Sequence, residues 1–361
     1  MVDRFNALAT QTDLDFEVWF TQKLESGREW SVSESEFSFR YRYLQSINVY
    51  GNVIGNPIVA LNAVKPDILV SFHAHPQTAL HLLQHTRRNS RLVYYVEKTF
   101  DTWVRRHRIK ELAKYSLFHL ADGFLTPGVD ADEYVRKYAG SSANIYRLHH
   151  ALNVDHFHQS SAMRTSRNAS ARRTELGLKG FVFLNVGRMI DLKGIPFLLQ
   201  AFQVVQTSIP DSSLLLVGNG PDREKYQSMV RQSPITNVVF LDFVQQPELP
   251  EIYALGDAFV FPTLGDPYGI VIDEARAAHL PIVSTHSAGE IRSRVIEAHN
   301  GFLVEAENPS ELANRMIRLA ANPRLALQLG EEGFRSVEQQ TTQRWIAEIL
   351  AMRDAILGPS K

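Results

Sequence analysis

The sequence predicts an α/β protein with two doubly wound domains. Short apolar runs alternate with longer amphipathic stretches along most of the chain, a pattern typical of buried parallel strands separated by helices. The alternation occurs in two series, and a polar segment rich in serine and arginine, 158–178, lies between them. A length of 361 residues also suits two domains better than one.

The first series contains strand-like segments separated by helical patterns: LDFEVWF, DILVSF, RLVYYVE, DGFLTP and NIYRLHHAL. The second series contains GFVFLNVG, SLLLVGNG, VVFLDFV, DAFVFPT, PIVST and GFLVE. Because most of these runs are nearly continuous in apolar residues, they predict parallel sheets covered by helices on both faces. We place the linker between the domains within 158–178 or just before it.

Composition excludes several classes of protein. A formal net charge of −1 and a pI near 6.9 argue against a general nucleic-acid binder. Absence of cysteine excludes disulfides, thiolate metal sites and cysteine nucleophiles, and it suits the cytoplasm. No apolar run approaches the roughly 18 residues of a transmembrane helix, and no export signal opens the chain. We therefore expect a cytoplasmic protein.

The residues that follow the strands of the second series are candidates for a site, because ligands of doubly wound sheets bind beyond the carboxyl ends of the strands. Gly187 and Arg188 follow the first of these strands, and Lys193 lies five residues after Arg188. Two cations at one strand end suit a diphosphate. Gly218 and Gly220 follow the next strand, where glycine permits close backbone approach. The alternatives are a buried ion pair for Arg188 and a solvated turn for Lys193.

The stretch GDPYGIVIDEARAAHLPIVST, 265–285, contains two acids whose spacing requires an explanation. Asp266 precedes a proline, as an ordinary helix N-cap does. Glu274 lies about two turns further on, too far to interact strongly with the helix dipole. The amides around Tyr268, Gly269 and Ile270 would open the helix, and free amides at a helix start bind phosphate. The stretch therefore predicts a phosphorylated ligand.

Six segments of the second half resemble, in order and spacing, the nucleotide-sugar-binding domain of GT-B glycosyltransferases of the retaining family-four group. They are NVGRMIDLKGIPFLLQAF, LLLVGNGPDREKYQ, NVVFLDFV, LPEIYALGDAFVFPT, DPYGIVIDEARAAHLPIVST and NGFLVEAENPSELANRM, and they cover most of 181–318. The resemblance implies the GT-B fold, which has two Rossmann-like domains with a cleft between them. It also implies a nucleoside diphosphate sugar as donor, with no metal or other cofactor.

The same resemblance implies roles for individual residues. Glu274 would hold the nucleotide ribose and Asp266 would contact sugar hydroxyls, while Arg188 and Lys193 would stabilise the diphosphate with help from the amides of 269–271. Phe243 and Val244 would lie beside the base, although a core aromatic is the alternative for Phe243. The remaining donor contacts are Gly187, Gly218, Gly220, Tyr268, Gly269, Ile270 and Val271. The family usually has glutamate at position 266 and glycine at 279, so Asp266 and His279 depart from its pattern.

The resemblance extends to LADGFLTPGVDADEYVRKYAGSSANIYRLHHALNVDHF, which is similar to the end of the acceptor-side domain, and to GFRSVEQQTTQRWIAEILAMRDAIL, similar to the closing helix. We therefore expect an acceptor-side domain over 1–155, a donor-binding domain over 156–337, and a helix over 338–361 that packs on the first domain. The family's first domain begins with a buried strand, whereas MVDRFNALATQTD has the pattern of a helix, which predicts that this strand is missing. A start assigned too far downstream, a truncation and a rearranged domain are all open explanations.

The first half offers fewer candidates. Glu97 follows a strand, and members of the family often have a histidine or an acid near this position that reaches the donor sugar. His73 and His75 also follow a strand and could join a carboxylate in a metal site, but ordinary polar residues are the preferred interpretation. Nine Lys or Arg against three acids in 87–114 could attract an anionic membrane surface or a lipid-linked acceptor. A solvated helix face is the alternative.

The sequence thus predicts a metal-independent retaining glycosyltransferase that moves a hexose from a UDP- or GDP-linked donor to a sugar or lipid-linked saccharide. Surface polysaccharide or glycolipid assembly is the expected setting, and peripheral association with the inner face of the cell membrane is left open. A degenerate nucleotide-sugar-binding subunit without activity and a GT-B nucleotide-sugar epimerase are the alternatives. No nucleic-acid partner is expected.

Overall fold

The computed structural model describes residues 2–21, 33–49, 52–72, 90–100 and 114–358. These residues divide into two compact units. Unit 1 contains the described residues before Leu152, except Thr99 and Phe100, together with those from Thr342 onward; unit 2 contains Leu152–Thr341 with Thr99 and Phe100. The chain thus changes unit at 151/152 and 341/342, and the boundaries expected from the sequence are 155/156 and 337/338.

Unit 1 is built on a parallel sheet of four strands, in the order Ile68–Ser71, Arg91–Tyr95, Gly123–Thr126 and Ile145–Arg147. The two inner strands are almost wholly buried. The helix Thr342–Leu357 contributes Trp345, Ile346, Ile349 and Met352 to the hydrophobic cluster that also contains Val93 and Leu125. The C-terminal helix is therefore part of the core of unit 1.

Two small sheets in unit 1 were largely missed by the sequence analysis. One pairs Glu17–Phe20 with Arg40–Tyr43 in parallel, and the other pairs Gln45–Val49 with Asn52–Asn56 in antiparallel. Glu17–Phe20 was expected as a strand, but its pairing lies outside the four-stranded sheet. The opening residues form a helix, as predicted. The helices of unit 1 described before the C-terminal one include Val2–Leu8, Ile58–Val64 and Val129–Ala139.

Unit 2 contains a parallel sheet of six strands, all of which were predicted. Their spatial order is Val238–Leu241, Ser213–Val217, Val182–Val186, Ala258–Phe261, Ile282–Thr285 and Gly301–Val304. Side chains of the sheet enter two hydrophobic clusters. The helices are Val154–Arg164, Arg167–Glu175, Ile195–Ser208, Arg223–Arg231, Leu249–Tyr253, Ile270–Ala277, Ile291–Arg294, Pro309–Ala320 and Pro323–Val337. This is a doubly wound Rossmann-like sheet.

The sequence places the linker within 158–178 or just before it; most of this segment is helical, and the unit boundary at 151/152 lies before it. Val154–Arg164 and Arg167–Glu175 are both helices of unit 2. Their first turns are capped by Asn153 and Ser166, whose side chains accept hydrogen bonds from the backbone amides of His156 and Ala169 respectively. Phe157 is fully buried, although polar residues dominate the segment. Caps and a few buried residues therefore form these helices without a strong apolar periodicity.

The strand order reverses between Val182–Val186 and Ala258–Phe261, and the two strands part towards their carboxyl ends. Their paired residues are Phe183 with Ala258 and Leu184 with Phe259. One residue further on, the buried side chain of Asn185 donates from Nδ2 to the carbonyl oxygen of Val260 over 2.8 Å. A side chain thus bridges the gap where the backbone ladder ends. Such a switch point leaves a crevice at the sheet edge, the usual ligand position in this type of sheet.

Gly194 provides a test of how tightly this edge is built. It precedes helix Ile195–Ser208 with φ 70°, and a Cβ at this position would lie 1.9 Å from the carbonyl oxygen of Pro262. The left-handed conformation alone costs an L-residue roughly 1–2 kcal/mol. We expect Gly194→Ala to lower the free energy of unfolding by more than this, because the backbone after Ala258–Phe261 must also move.

Gly177 is the matched control for this substitution. Its φ is 68°, but a Cβ there would meet no atom within 4 Å. Gly177→Ala should therefore incur the left-handed cost and little else. Chemical denaturation of both variants measures the difference, and equal losses of stability would contradict the close packing of Gly194.

Candidate active site

Two loops meet at the crevice of unit 2. The first loop, 187–194, follows strand Val182–Val186, and the second loop, 262–269, follows strand Ala258–Phe261. The carbonyl oxygen of Leu192 accepts the amide of Leu264 over 2.8 Å and the hydroxyl of Thr263 over 3.1 Å. These hydrogen bonds hold the loops together, so residues far apart in the sequence become neighbours.

Lys193 of the first loop forms an ion pair with Asp266 of the second. The ammonium group contacts Oδ2 of Asp266 and lies 5.4 Å from the ring centroid of Phe261. Oδ1 of Asp266 accepts the backbone amide of Tyr268 over 3.2 Å. Asp266 therefore opens the turn before the helix and also orients Lys193. The alternative of a freely solvated Lys193 is wrong, since its side chain is 20% exposed.

The second loop ends in an arrangement of backbone donors. Gly269 has φ 73° and precedes the helix Ile270–Ala277. Within the part of the chain that the structure describes, the amides of Gly269, Ile270 and Val271 donate to no protein acceptor. The amide of Tyr268 is engaged with Asp266, and its hydroxyl donates to Asp273 over 2.8 Å. Three consecutive N–H groups are therefore available at this helix start for an anion.

Glu274 is a buried acid in the second turn of the same helix. Its residue surface is 8% exposed, and Oε2 accepts the hydroxyl of Tyr253 over 2.7 Å. Burial raises the pKa of Glu274 to about 7; the hydrogen bond from Tyr253 opposes the rise, and the nearby charge of Asp273 adds to it. A carboxyl group kept at this pKa inside a protein is typical of functional sites.

The three glycines of the prediction differ in their surroundings. A Cβ on Gly218, where φ is 134°, would lie 2.1 Å from the carbonyl oxygen of Gly187, and one on Gly220 would lie 2.3 Å from that of Met189. Both glycines are thus required by close packing between strand-end loops. A Cβ on Gly187 would meet no atom within 4 Å. Gly187 is therefore the one of the three with open space beside its Cα.

Arg188, Phe243 and Val244 are less enclosed. Arg188 is exposed and has no ion pair among the described residues, so the alternative of a buried pair is wrong. Phe243 is half-buried, and Val244 packs at the margin of the hydrophobic core. Their roles beside a base stay predictions.

Glu97 belongs to unit 1, where its carboxylate lies 3.1 Å from Nε2 of His150. The hydroxyl of Tyr95 lies 3.0 Å from the same nitrogen. The role of Glu97 stays a prediction.

Other sequence-based expectations fall mainly outside the described residues. His73, His75 and most of 87–114 are among them. In the described ranges, no group of three His, Cys, Asp or Glu residues is arranged to hold a metal ion. No helix in those ranges has both the length and the apolar character needed to span a membrane.

A buried ionic cluster that was not predicted from the sequence lies behind the second loop. Asp273 is fully buried and contacts Arg276 over 2.8 Å and Arg294 over 3.4 Å. Burial alone would raise the pKa of Asp273, but the two guanidinium groups hold it below the ordinary value. Arg276 also donates to the hydroxyl of Ser336 over 2.7 Å. The feature of the sequence that indicates this cluster is an Asp–Arg pair at i, i+3 in the largely apolar helical stretch IVIDEARA.

His279 occupies a position where the family that the sequence resembles usually has glycine, and its backbone conformation is one that favours glycine. Its φ is 56°, after the end of helix Ile270–Ala277. Its Nε2 lies 2.8 Å from Nδ1 of His158, and its Nδ1 lies 2.9 Å from a carboxylate oxygen of Glu331. The ring also stacks on Phe334 at 4.2 Å. These contacts offset the strain of a left-handed residue other than glycine.

Comparison with known proteins identifies the class of the second half. Residues 180–322 match the family model described as Glycosyl transferases group 1. The D-inositol 3-phosphate glycosyltransferase of Streptomyces avermitilis is 29% identical over 221 residues, which are 58% of this chain and 46% of that protein. The chain thus spans about half the length of such curated relatives.

Two solved structures share the fold over most of the chain. Anabaena HepE, solved in complex with UDP and glucose, has a TM-score of 0.70 at 16% identity. The match covers 89% of this chain and 88% of HepE. Sucrose-phosphate synthase of Thermosynechococcus elongatus has a TM-score of 0.75 at 17% identity, with 95% of this chain and 89% of that one covered. The resemblance is therefore confirmed: residues 180–322 carry a glycosyl transferases group 1 domain, in a chain with the α/β fold of GT-B glycosyltransferases.

Proposed function

We propose that the protein transfers a hexose from a UDP- or GDP-linked donor to a sugar or lipid-linked saccharide, with retention of configuration and without a metal. The observation that carries the proposal is the ion pair of Lys193 with Asp266 beside the available amides of 269–271, at the start of the helix that also contains the buried Glu274. The UDP bound by the structural neighbour HepE supports a nucleotide donor.

Each group in the crevice has chemistry suited to one part of such a donor. Glu274 would accept a ribose hydroxyl, because a carboxylate is a strong hydrogen-bond acceptor. The amides of 269–271 and Lys193 would surround the diphosphate, and exposed Arg188 would close on it from solvent. When the bond from the anomeric carbon to the diphosphate oxygen breaks, the electron pair leaves with that oxygen. The same cationic and N–H groups would stabilise the new charge.

Asp266 would serve two functions in this arrangement. Its contacts with Lys193 and with the amide of Tyr268 fix the second loop, and the remaining acceptor positions of its carboxylate would face sugar hydroxyls. Glu97 is the candidate of the acceptor-side domain for contact with the sugar. A setting in surface polysaccharide or glycolipid assembly, and association with a membrane through 87–114, stay predictions.

The test is to incubate the protein with UDP- and GDP-hexoses in chelator and screen saccharide and lipid-linked acceptors. Acceptor-dependent release of nucleoside diphosphate, with a product of retained anomeric configuration by NMR, would support the proposal. Donor binding without turnover on any acceptor would favour the non-catalytic subunit. Conversion of the donor alone into an isomeric nucleotide sugar would favour the epimerase.

The pKa of Glu274 predicts how donor affinity depends on pH. The ionised carboxylate is the form that accepts a ribose hydroxyl, and its fraction at a pKa of about 7 rises about tenfold between pH 6 and pH 8. We expect donor affinity to rise by up to this factor over the same range. Titration with an intact nucleotide sugar avoids the terminal phosphate proton of a free diphosphate. A flat profile, or weaker binding at pH 8, would contradict the ribose role.

A further inference from the structure

We infer that Arg294 is a positioning residue: it orients the peptide groups whose amides receive the donor diphosphate. The inference rests on the proposed function and adds a residue that touches no substrate. Arg294 is 4% exposed and lies at the end of the short helix Ile291–Arg294, behind the second loop.

The guanidinium of Arg294 contacts three backbone carbonyl oxygens. It donates to that of Gly269 over 3.2 Å, to that of Gly289 over 2.8 Å and to that of Tyr268. Its central carbon also lies 3.9 Å from the ring centroid of Tyr268. One side chain therefore fixes two successive peptide groups of the second loop and joins them to the loop at Gly289.

Because the peptide group is planar, the direction of each of these carbonyls also fixes the direction of the N–H that follows it. In a trans peptide the C=O and the following N–H point in opposite directions. Because the carbonyl of Tyr268 points at Arg294, the N–H of Gly269 points away from it. The carbonyl of Gly269 likewise directs the N–H of Ile270 away. These are two of the amides that have no acceptor in the described part of the protein.

The charge of the cluster acts in the same direction. Arg276 and Arg294 share the single carboxylate of Asp273, so the buried group of three carries a net positive charge. That charge lies behind the carbonyl ends of the two peptide dipoles, whose N–H ends face the crevice. A bound anion there is favoured both by the oriented amides and by the charge behind them.

Arg276 provides a matched control for Arg294. It is 2% exposed and pairs with the same carboxylate, but its described contacts are with Asp273 and Ser336 rather than with carbonyls of the second loop. Lysine retains the positive charge of arginine and lacks the planar fork that reaches several acceptors. Arg294→Lys and Arg276→Lys therefore change the same cluster, and the first also releases the peptide groups.

The experiment measures affinity for the nucleoside diphosphate that the wild type binds, among UDP, GDP and ADP, and for the corresponding nucleoside. We expect Arg294→Lys to weaken diphosphate binding by about tenfold or more while nucleoside binding changes less than about twofold. Arg276→Lys should change neither by more than about threefold, at a comparable loss of melting temperature. Equal weakening of both ligands by Arg294→Lys, or no weakening of the diphosphate, would overturn the inference.

A measurement on the wild type keeps the inference testable if Arg294→Lys does not fold. Hydrogen exchange at Gly269 and Ile270 should slow when the diphosphate binds and should not slow with the nucleoside. Unchanged exchange in the diphosphate complex would overturn the inference while leaving donor binding intact. If the wild type binds none of the three diphosphates, the proposed function fails, and the role of Arg294 fails with it.

Discussion

Replacing Lys193 with methionine is expected to lower the rate of hexose transfer by about 100-fold or more. Methionine has nearly the same length and no charge, so the variant removes the cation with little change in volume. Loss of one preorganised electrostatic group at a developing negative charge typically costs a factor of 10² to 10³. The effect should fall on the maximal rate as well as on donor affinity, because the diphosphate charge grows as the leaving group departs.

The control for Lys193→Met is Lys225→Met. Like Lys193, Lys225 forms an ion pair with an aspartate. Its Nζ lies 2.6 and 2.8 Å from the two carboxylate oxygens of Asp191, which belongs to the first loop. This pair is exposed and is not expected to touch the donor. Transfer rates measured with a saturating acceptor should differ greatly between the two variants. Near-equal rates for Lys193→Met and the wild type would show that Lys193 does not contribute to the transfer step.

Replacing Glu274 with glutamine is expected to weaken donor binding and to stabilise the fold. Glutamine can still accept the hydroxyl of Tyr253, so the local packing is retained. Its neutral amide is a weaker acceptor for ribose, and a hydrogen bond to a charged group contributes about 1.5–3 kcal/mol. At pH 8 we therefore expect donor affinity to fall by at least about tenfold. Calorimetric titration of both proteins at this pH measures the change.

The stability effect follows from the raised pKa of Glu274. Because folding favours the protonated carboxyl, the folded protein loses stability as pH rises from the ordinary value of 4.5 through about 7. The full loss above pH 7 is about 3 kcal/mol. Glu274→Gln avoids this loss, so its melting temperature should exceed that of the wild type at pH 8. The gain should vanish towards pH 4.5.

The adjacent acid supplies a control of opposite sign. The pKa of Asp273 is held below its ordinary value, so its ionised form stabilises the folded protein above pH 4. Asp273→Asn leaves two buried guanidinium groups without their carboxylate and should destabilise the fold by about 3–5 kcal/mol. Thermal unfolding at pH 8 compares the two variants. A Glu274→Gln variant less stable than the wild type would show that the carboxylate is retained for the fold rather than for a ligand.

The predictable part of the fold is the part governed by local pattern. The six strands of unit 2 are short apolar runs bounded by turn residues, and all six were predicted from the sequence. Arg40–Tyr43 was missed because it reads RYRY, whose apolar face is apparent only when Phe20 and Phe37 pack beside the tyrosines. Strand pairing between distant segments depends on such contacts and leaves little local signal.

The site could be predicted as residue types at strand ends, but not as a set of contacts. Lys193 and Asp266 were assigned to different parts of the donor, and their ion pair joins positions 73 residues apart. Glu274 drew attention by its spacing, whereas its partner Tyr253 lies on another helix. Arg294 was not predicted because the polar sequence RSRV is typical of a solvent-exposed segment. Its burial depends on contacts with three carbonyl groups that only the fold brings together.

The central claim is that the crevice of unit 2 binds a nucleoside diphosphate through Glu274 and the helix start beside it. Calorimetric titration with UDP, GDP and ADP in chelator, on the wild type and on Glu274→Ala, tests it most directly. We expect micromolar binding of one nucleotide by the wild type and at least about tenfold weaker binding by the variant. Failure of all three nucleotides to bind the wild type, or equal binding by both proteins, would contradict the account.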